Sequence, residues 1–317
     1  MICATGSSIF LTGCSGDSDP DAAVSGQADA GQSQQGENAG EGQGDGEIAP
    51  EPTREPKELK KLEKQLKKAA DMYGGTFSVG VTDLATGDYA YVNDVQARAA
   101  SVIKIFVEAA CFQKIQDGEL KLNQKITLQD REIERAYGTG ILQNSPAGTE
   151  VTLKKCLKLM MTCSDNRAAN IVLDLTGIDY VNKFMKKMGC SRKSSLGYWF
   201  YISGATKGNY LTTRDVNLFF TKLYNNQVVS EKYDQMMIRF MKGNVNTTKL
   251  VAGLPAGIEC AHKTGCITSR EHDCGIVFGE NSDYVISVLG EEVANGQSSY
   301  DAIARLSQIT YDFMNNK

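Results

Sequence analysis

The sequence predicts an α/β protein of the α+β kind. One antiparallel sheet comes from the N- and C-terminal segments and is flanked by helices, and the middle of the chain adds a helical lobe. Three observations predict this. Strand patterns begin at Thr76 and return after 258, at both ends of the folded part. The stretch from 101 to 241 reads as a succession of helices. An amphipathic helix then closes the chain, with Ile303, Leu306, Ile309 and Phe313 along one stripe. Strands on either side of a helical insertion are most simply satisfied by one shared sheet. A cleft between sheet and lobe is the natural place for chemistry.

Along the chain, residues 1–14 read MICATGSSIFLTGC. Leu11-Thr12-Gly13-Cys14 resembles the lipobox of bacterial lipoproteins, whose cysteine is lipidated and becomes the first residue. Cys14 is the expected lipidation site, and the chain is expected to be exported and anchored at the extracytoplasmic face of the cell membrane. The leader lacks the basic n-region of an export signal, so we expect a true start upstream or a mis-assigned one. Residues 15–55 are expected to form a disordered acidic linker. Positions 15–50 carry eight Asp or Glu, no Lys or Arg, and no aromatic residue, too little apolar surface to offset chain entropy. No other stretch approaches ~18 apolar residues, so no transmembrane helix is expected.

Residues 56–317 form the folded domain. Residues 56–72 read as a charged surface helix stopped by Gly74-Gly75. TFSVGVTD alternates, with Phe77, Val79 and Val81 on one face, and predicts a strand. ATGD is a turn and YAYVN a second strand. Helices are expected at 101–116, 152–162, 165–175, 178–188, 212–225 and 230–242, and strands at 258–266, 273–280 and 284–290. The net charge of −4 hides the acidic linker: residues 51–317 sum to +4, with no basic stripe. A nucleic-acid partner is not expected.

The informative feature is Lys104, set among Val102, Ile103, Ile105, Phe106 and Val107. An ammonium there is costly unless something uses it. Ser101 and Lys104 lie at i and i+3 on one helix face, with Ser101 in the first turn, where free N–H groups favour negative charge. A desolvated lysine has a lowered pKa and can serve as a base. Alone, this is also what a capped helix with a snorkelling lysine looks like. Two further motifs follow in order: Ser164-Asp165-Asn166 at the start of a helix, and Lys263-Thr264-Gly265 on a strand.

With these three motifs the sequence resembles the class A β-lactamase-like serine hydrolases, over roughly 75 to 315. The stretch ILQNSPAGTEVTLKKCLKLMMTCSDNRAANIVLD is also similar to that family, and Asn170 matches its asparagine four residues after the second motif. The resemblance implies a β-lactamase/transpeptidase-like fold and an acyl-enzyme on Ser101, with Lys104 as its basic partner. It implies that Ser164 relays a proton to the leaving nitrogen and that Asn166 holds the substrate's acylamino group. Lys263 and Thr264, followed by Gly265, would bind the substrate carboxylate, and the backbone N–H groups of Ser101 and Cys266 would form an oxyanion hole. Asp165 and Asn170 would be structural supports. The implied partner is a small-molecule β-lactam or a cell-wall peptide. The expected activity is β-lactam hydrolysis, with a D,D-peptidase-like enzyme or a non-catalytic β-lactam-binding protein as alternatives. A monomer without cofactor is expected.

One departure matters. The family's deacylating glutamate lies on a loop that here falls at 190–215, and that loop contains no Glu. It carries Tyr198, Trp199, Phe200 and Tyr201 instead, expected to pack on the body or to form a platform for a substrate side chain. A missing general base typically costs ~10²–10⁴-fold, so slow turnover or a long-lived acyl-enzyme is expected. Glu132 or Glu134 are the acidic residues that could approach from elsewhere.

The chain has nine cysteines, seven of them in the domain, an odd number that leaves at least one thiol. Cys260, His262, Cys266, His272 and Cys274 cluster, but their spacing matches no zinc pattern, and no metal is expected. A cross-strand disulfide between Cys266 and Cys274 is the expected pairing, given a turn near Ser269.

Overall fold

The computed structural model describes residues 57–129, 139–200 and 208–315. The two N-terminal expectations, the leader with Cys14 and the acidic linker, lie outside the described residues, as do Glu132, Glu134 and Tyr201.

The charged helix forms as α1 (Lys57–Ala70), followed by β1 (Thr76–Asp83) and β2 (Tyr89–Val92). A two-residue strand β3 (Ala97–Arg98) leads to a short 3-10 turn over Ala100–Ile103 and then α2 (Lys104–Gln116). The lobe continues through β4 (Lys125–Thr127), β5 (Glu150–Thr152), α3 (Leu153–Thr162), α4 (Asn166–Thr176) and α5 (Ile178–Met188). After β6 (Tyr210–Leu211) come α6 (Thr213–Tyr224) and α7 (Glu231–Lys242). The chain closes with β7 (Glu259–Ile267), β8 (Arg270–Phe278), β9 (Tyr284–Glu291) and α8 (Gln297–Asn315).

Sheet and lobe divide as expected. The five-stranded sheet has the order β2-β1-β9-β8-β7, and every pairing in it is antiparallel. Residues from both chain ends thus meet at its centre, where β1 pairs with β9. Two small ribbons, β3 with β6 and β4 with β5, are too short to leave a period in the sequence.

The sheet is buried on both faces, so β1 alternates in what it touches rather than in whether it is covered. Phe77, Val79 and Val81 pack into a core with Leu62 and Leu66 of α1 and Ile303 and Leu306 of α8. The opposite, more polar face lies under α6. There Asn217 donates to Thr82 Oγ1 at 3.0 Å and accepts from Ser287 at 2.6 Å, so both of these buried hydroxyls are bonded. A second core fills the lobe and reaches the sheet through Ala261, Cys274 and Ile276. Among the described residues no helix is long and apolar enough to cross a membrane.

Strand β8 begins three residues earlier than the sequence pattern indicates. The β7–β8 turn is the two residues Thr268 and Ser269, because Ile267 pairs with Arg270, and Ser269 takes a left-handed φ of 59°. This register opposes Cys266 to Glu271 and Lys263 to Cys274. The expected Cys266–Cys274 disulfide is therefore wrong, because three positions of strand separate the pair and they point to opposite faces. All seven domain cysteines remain thiols.

Candidate active site

The turn carrying Ser101 starts from a strained point. Ala100, immediately before it, sits at φ 45°, and Ser164, from the second motif, sits at φ 57°. Non-glycine residues hold such angles only where the surroundings enforce them, commonly at functional sites. Strand β7 supplies part of that enforcement. A Cβ added at Gly265 would lie 3.1 Å from Ala100 Cβ and 3.2 Å from Ser101 N. Glycine at 265 is what lets β7 run directly beside the backbone of Ser101.

The second motif is fixed from the lobe. Asp165 caps α4 by accepting from Ala168 N at 2.9 Å and also accepts from Leu142 N at 2.8 Å. Gly140 makes room for this carboxylate: a Cβ there would fall 2.4 Å from Asp165 Cγ. The buried Arg167 donates to the carbonyls of Leu142 at 2.7 Å and Ser145 at 2.6 Å. Asp165 and Arg167 thus tie the segment 139–145 to the start of α4, which aims Ser164 and Asn166 at α2.

There the motifs meet. The Lys104 side chain is fully buried. Its amine donates to Ser164 O at 2.7 Å, Ser164 Oγ at 3.1 Å and Asn166 Oδ1 at 2.8 Å. Lys263, also fully buried, donates to the same Ser164 Oγ at 3.0 Å and to Thr264 O at 2.8 Å. One hydroxyl therefore bridges two lysines that are 159 positions apart in sequence. No hydrogen bond joins Ser101 Oγ to Lys104 Nζ. The two remain neighbours on adjoining turns, and catalytic hydrogen bonds often tighten only when substrate binds.

The electrostatics follow from burial. Desolvation, with the charge of Lys263 second, pushes the Lys104 amine well below the usual lysine range, while Asp165 opposes the shift. Desolvation brings Lys263 down to about 7, with Asp273 acting against it. The lowered value makes Lys104 a better proton acceptor than an ordinary lysine, and Lys263 is poised to carry a charge at or below neutrality.

Asn170 does more than support the helix. Its side chain donates to Phe200 O at 3.1 Å and accepts from Phe200 N at 2.9 Å, gripping the loop from both sides. Asn209 accepts from Gly197 N and Tyr198 N. The loop so held inserts Phe200, whose ring centre lies 4.8 Å from Lys104 Nζ. Among the described residues no carboxylate bonds to Ser101 or Lys104. The aromatic run divides its work: Phe200 is buried, Trp199 donates to Asp174, and the Tyr198 hydroxyl accepts from Arg98 at 3.3 Å. Packing explains the first two, and Tyr198 lines the cavity beside Ser101.

The strand period of two splits the Cys/His cluster between both faces of the sheet. His262 meets Asp273 at 2.8 Å. Cys266 donates to Glu271 at 3.2 Å. His272 receives a bond from Gly290 N on Nδ1 and bonds Arg98 O through Nε2 at 2.7 Å. Burial lowers its pKa to about 4, so the ring is neutral with its proton on Nε2.

Sequence reasoning missed two features. Phe200 beside Lys104 had no sequence signal, because its position depends on Asn170 of a distant helix. Glu108 did have one: it lies four residues after Lys104 in the same apolar run. It is fully buried, neither carboxyl oxygen has a hydrogen-bond partner among the described residues, and burial raises its pKa well above the carboxylate range.

A model of the beta-lactamase enzyme family matches residues 61–314. Among curated relatives, Beta-lactamase SME-1 of Serratia marcescens is 27% identical over 231 residues, 70% of this chain and 74% of that protein. The crystal structure of a beta-lactamase from Sphaerobacter thermophilus superposes with a TM-score of 0.74 at 25% identity, covering 80% of this chain and 96% of that one. PBP-A superposes with the same score at 26% identity and the same coverage. A PBP-A variant has been solved as an acyl-enzyme complex with penicillin G.

Proposed function

The chain belongs to the beta-lactamase enzyme family, and on that premise we propose that it is a serine hydrolase that is rapidly acylated by β-lactams and slowly deacylated. Ser101 Oγ attacks the lactam carbonyl carbon, the ring C–N bond breaks, and the hydroxyl proton travels through Lys104 and Ser164 Oγ to the leaving nitrogen. The double bonding of Ser164 Oγ by Lys104 and Lys263 supports that relay. Charged Lys263, with Thr264, takes the substrate carboxylate. Asn166 holds the acylamino group, and the N–H groups of Ser101 and Cys266 receive the developing oxyanion.

The observation that carries the slow second step is Phe200 beside Lys104, where an apolar ring cannot activate water. The same observation favours a second reading, a D,D-peptidase-like enzyme acting on cell-wall peptides, which hands its acyl group to an acceptor. Intact-protein mass after benzylpenicillin, alongside a chromogenic cephalosporin, tests both. We expect a penicilloyl adduct that outlasts many minutes and disappears in Ser101→Ala. Phe200→Glu is expected to shorten its lifetime, and release of terminal D-Ala from a peptide would select the second reading. Rapid cephalosporin turnover by the unaltered protein would refute slow deacylation.

The LTGC sequence and the acidic linker support an exported protein anchored through Cys14 on the extracytoplasmic face. Loss of membrane association in Cys14→Ser is the expected result.

A further inference from the structure

A cavity of ≈ 330 Å³ opens beside Ser101, lined among others by Arg98, Tyr198, Phe200, Thr268 and Arg270. Neither Lys263, Thr264 nor Ser164 borders it. It therefore lies apart from the side of the nucleophile assigned above to the ring carboxylate and the leaving nitrogen. What remains for it is the acyl substituent, the part of the substrate that stays on Ser101 after the ring opens.

The charges of the described residues around this cavity do not cancel. Glu291 meets two of the lining residues, and both its oxygens are committed. Oε1 accepts from the backbone N of Arg98 at 2.6 Å, and Oε2 pairs with Arg270 Nε at 2.8 Å. Arg270 also donates to Thr268 O at 2.9 Å. The guanidinium of Arg98 meets only neutral groups: it donates to the Tyr198 hydroxyl and lies 5.4 Å from the centre of the Tyr210 ring. Among the described residues no carboxylate pairs with it. Among the described residues, these two guanidinium groups and one carboxylate leave one positive charge in excess. Because Tyr198 OH accepts from Arg98, its own proton is free to point elsewhere.

A half-buried guanidinium held by neutral aromatic groups beside a nucleophile is a recognition element for an anion. We propose that this cavity selects substrates whose acyl side chain carries a carboxylate, bound by Arg98 with Tyr198 and Arg270 beside it. The proposal rests on the acyl-enzyme reading above and names the substrate class for that site.

Benzylpenicillin and carbenicillin differ only in a carboxylate on the side-chain α carbon, so the pair isolates this interaction. The experiment measures the second-order rate of adduct formation on Ser101 by intact mass, for both compounds, in the unaltered protein, Arg98→Gln and Arg98→Lys. Gln retains a donor for Tyr198 without the charge, and Lys restores the charge. Arg98→Gln should slow carbenicillin about tenfold, the size of one charge-assisted hydrogen bond, and leave benzylpenicillin within about twofold. Arg98→Lys should recover part of the loss, and the preference should shrink as salt rises. Equal slowing of both penicillins would make Arg98 a support for the loop, and no slowing of either would remove it from recognition. Each result overturns the proposal while leaving acylation of Ser101 intact. Failure of both penicillins to label Ser101 in the unaltered protein would instead remove the acyl-enzyme reading, and the proposal with it.

Discussion

The molecule buries lysines in two regions and treats them in opposite ways. In the cleft, Lys104 and Lys263 are fully buried and bonded to a hydroxyl, carbonyls and an amide, and among the described residues no carboxylate pairs with either. At the β7–β8 hairpin, Lys249 is equally buried but meets Glu271 at 2.7 Å, with His272 O at 3.2 Å and Gly265 O at 3.4 Å as further acceptors. His262 and Asp273 repeat the arrangement nearby. A buried amine opposite a carboxylate forms a pair that holds structure together. A buried amine facing only neutral groups has its pKa lowered, which prepares it for proton transfer. The difference lies in the partner rather than in the residue.

The largest expected effect tests the cleft. Lys104→Met should lower the rate of adduct formation ~10²–10⁴-fold, the usual loss for a missing general base. It should cost less stability than breaking a buried ion pair, because the acceptors it leaves behind, Ser164 O and Asn166 Oδ1, are neutral. Unchanged acylation would end the contrast, since Lys104 would then be no more than a buried polar residue.

Next in size is the hairpin. Lys249→Met leaves the buried Glu271 carboxyl without its cation, and we expect a loss of about 3–5 kcal/mol in urea unfolding. Lys249→Met with Glu271→Leu should recover most of that loss, because replacing both partners of a buried pair is often near neutral. If the double variant is no better than the single, the pair is not the unit that matters.

A smaller effect is read in pH. Lys263 has a pKa of about 7, so it binds a substrate carboxylate best below that value. The second-order rate of acylation by benzylpenicillin should fall as pH rises through 7, by up to about tenfold per unit beyond it. The linkage to stability has the opposite sign. The native state binds fewer protons than the unfolded chain between about 7 and the ordinary lysine value of ~10.4, so Lys263 makes folding more favourable as pH rises through that window. A flat acylation profile from pH 6 to 8 would show that Lys263 does not carry the charge.

The smallest effect concerns Glu108, the carboxyl counterpart of an unpaired amine. Burial raises its pKa, so its contribution to stability is least unfavourable below the unfolded value of ~4.3 and worsens as pH rises above it. Glu108→Leu should therefore stabilise the fold by about 1–3 kcal/mol near neutrality, the typical cost of a buried unsatisfied polar group. It should also flatten the pH dependence of the urea midpoint above pH 5. Destabilisation would mean that Glu108 has a partner that offsets its burial.

Particular residues show how far sequence carries. Ser101 and Lys104, Asp165 and Asn166, and Lys263 to Gly265 were readable because each group is local, with its job set by one helix turn or one strand. The strands at both ends and the helices between them were readable for the same reason. The Cys266–Cys274 bridge was misread because hairpin register turns on a two-residue loop at Thr268 and Ser269, and a small error in placing it moves every partner. Glu108 carried the same signal as Lys104, a charge inside an apolar run, and was overlooked because no motif contained it.

By itself the chain determined its periodicities, its caps and turns, and the kinds of groups available for chemistry, because these depend on neighbours a few residues apart. Only the tertiary structure decided which of them meet: that one serine hydroxyl joins Lys104 to Lys263, that Asn170 sets a phenylalanine beside Lys104, and that Arg98 borders the cavity at Ser101 with no carboxylate on its guanidinium among the described residues. Those outcomes depend on loop paths and strand register across long separations, and no local pattern encodes them.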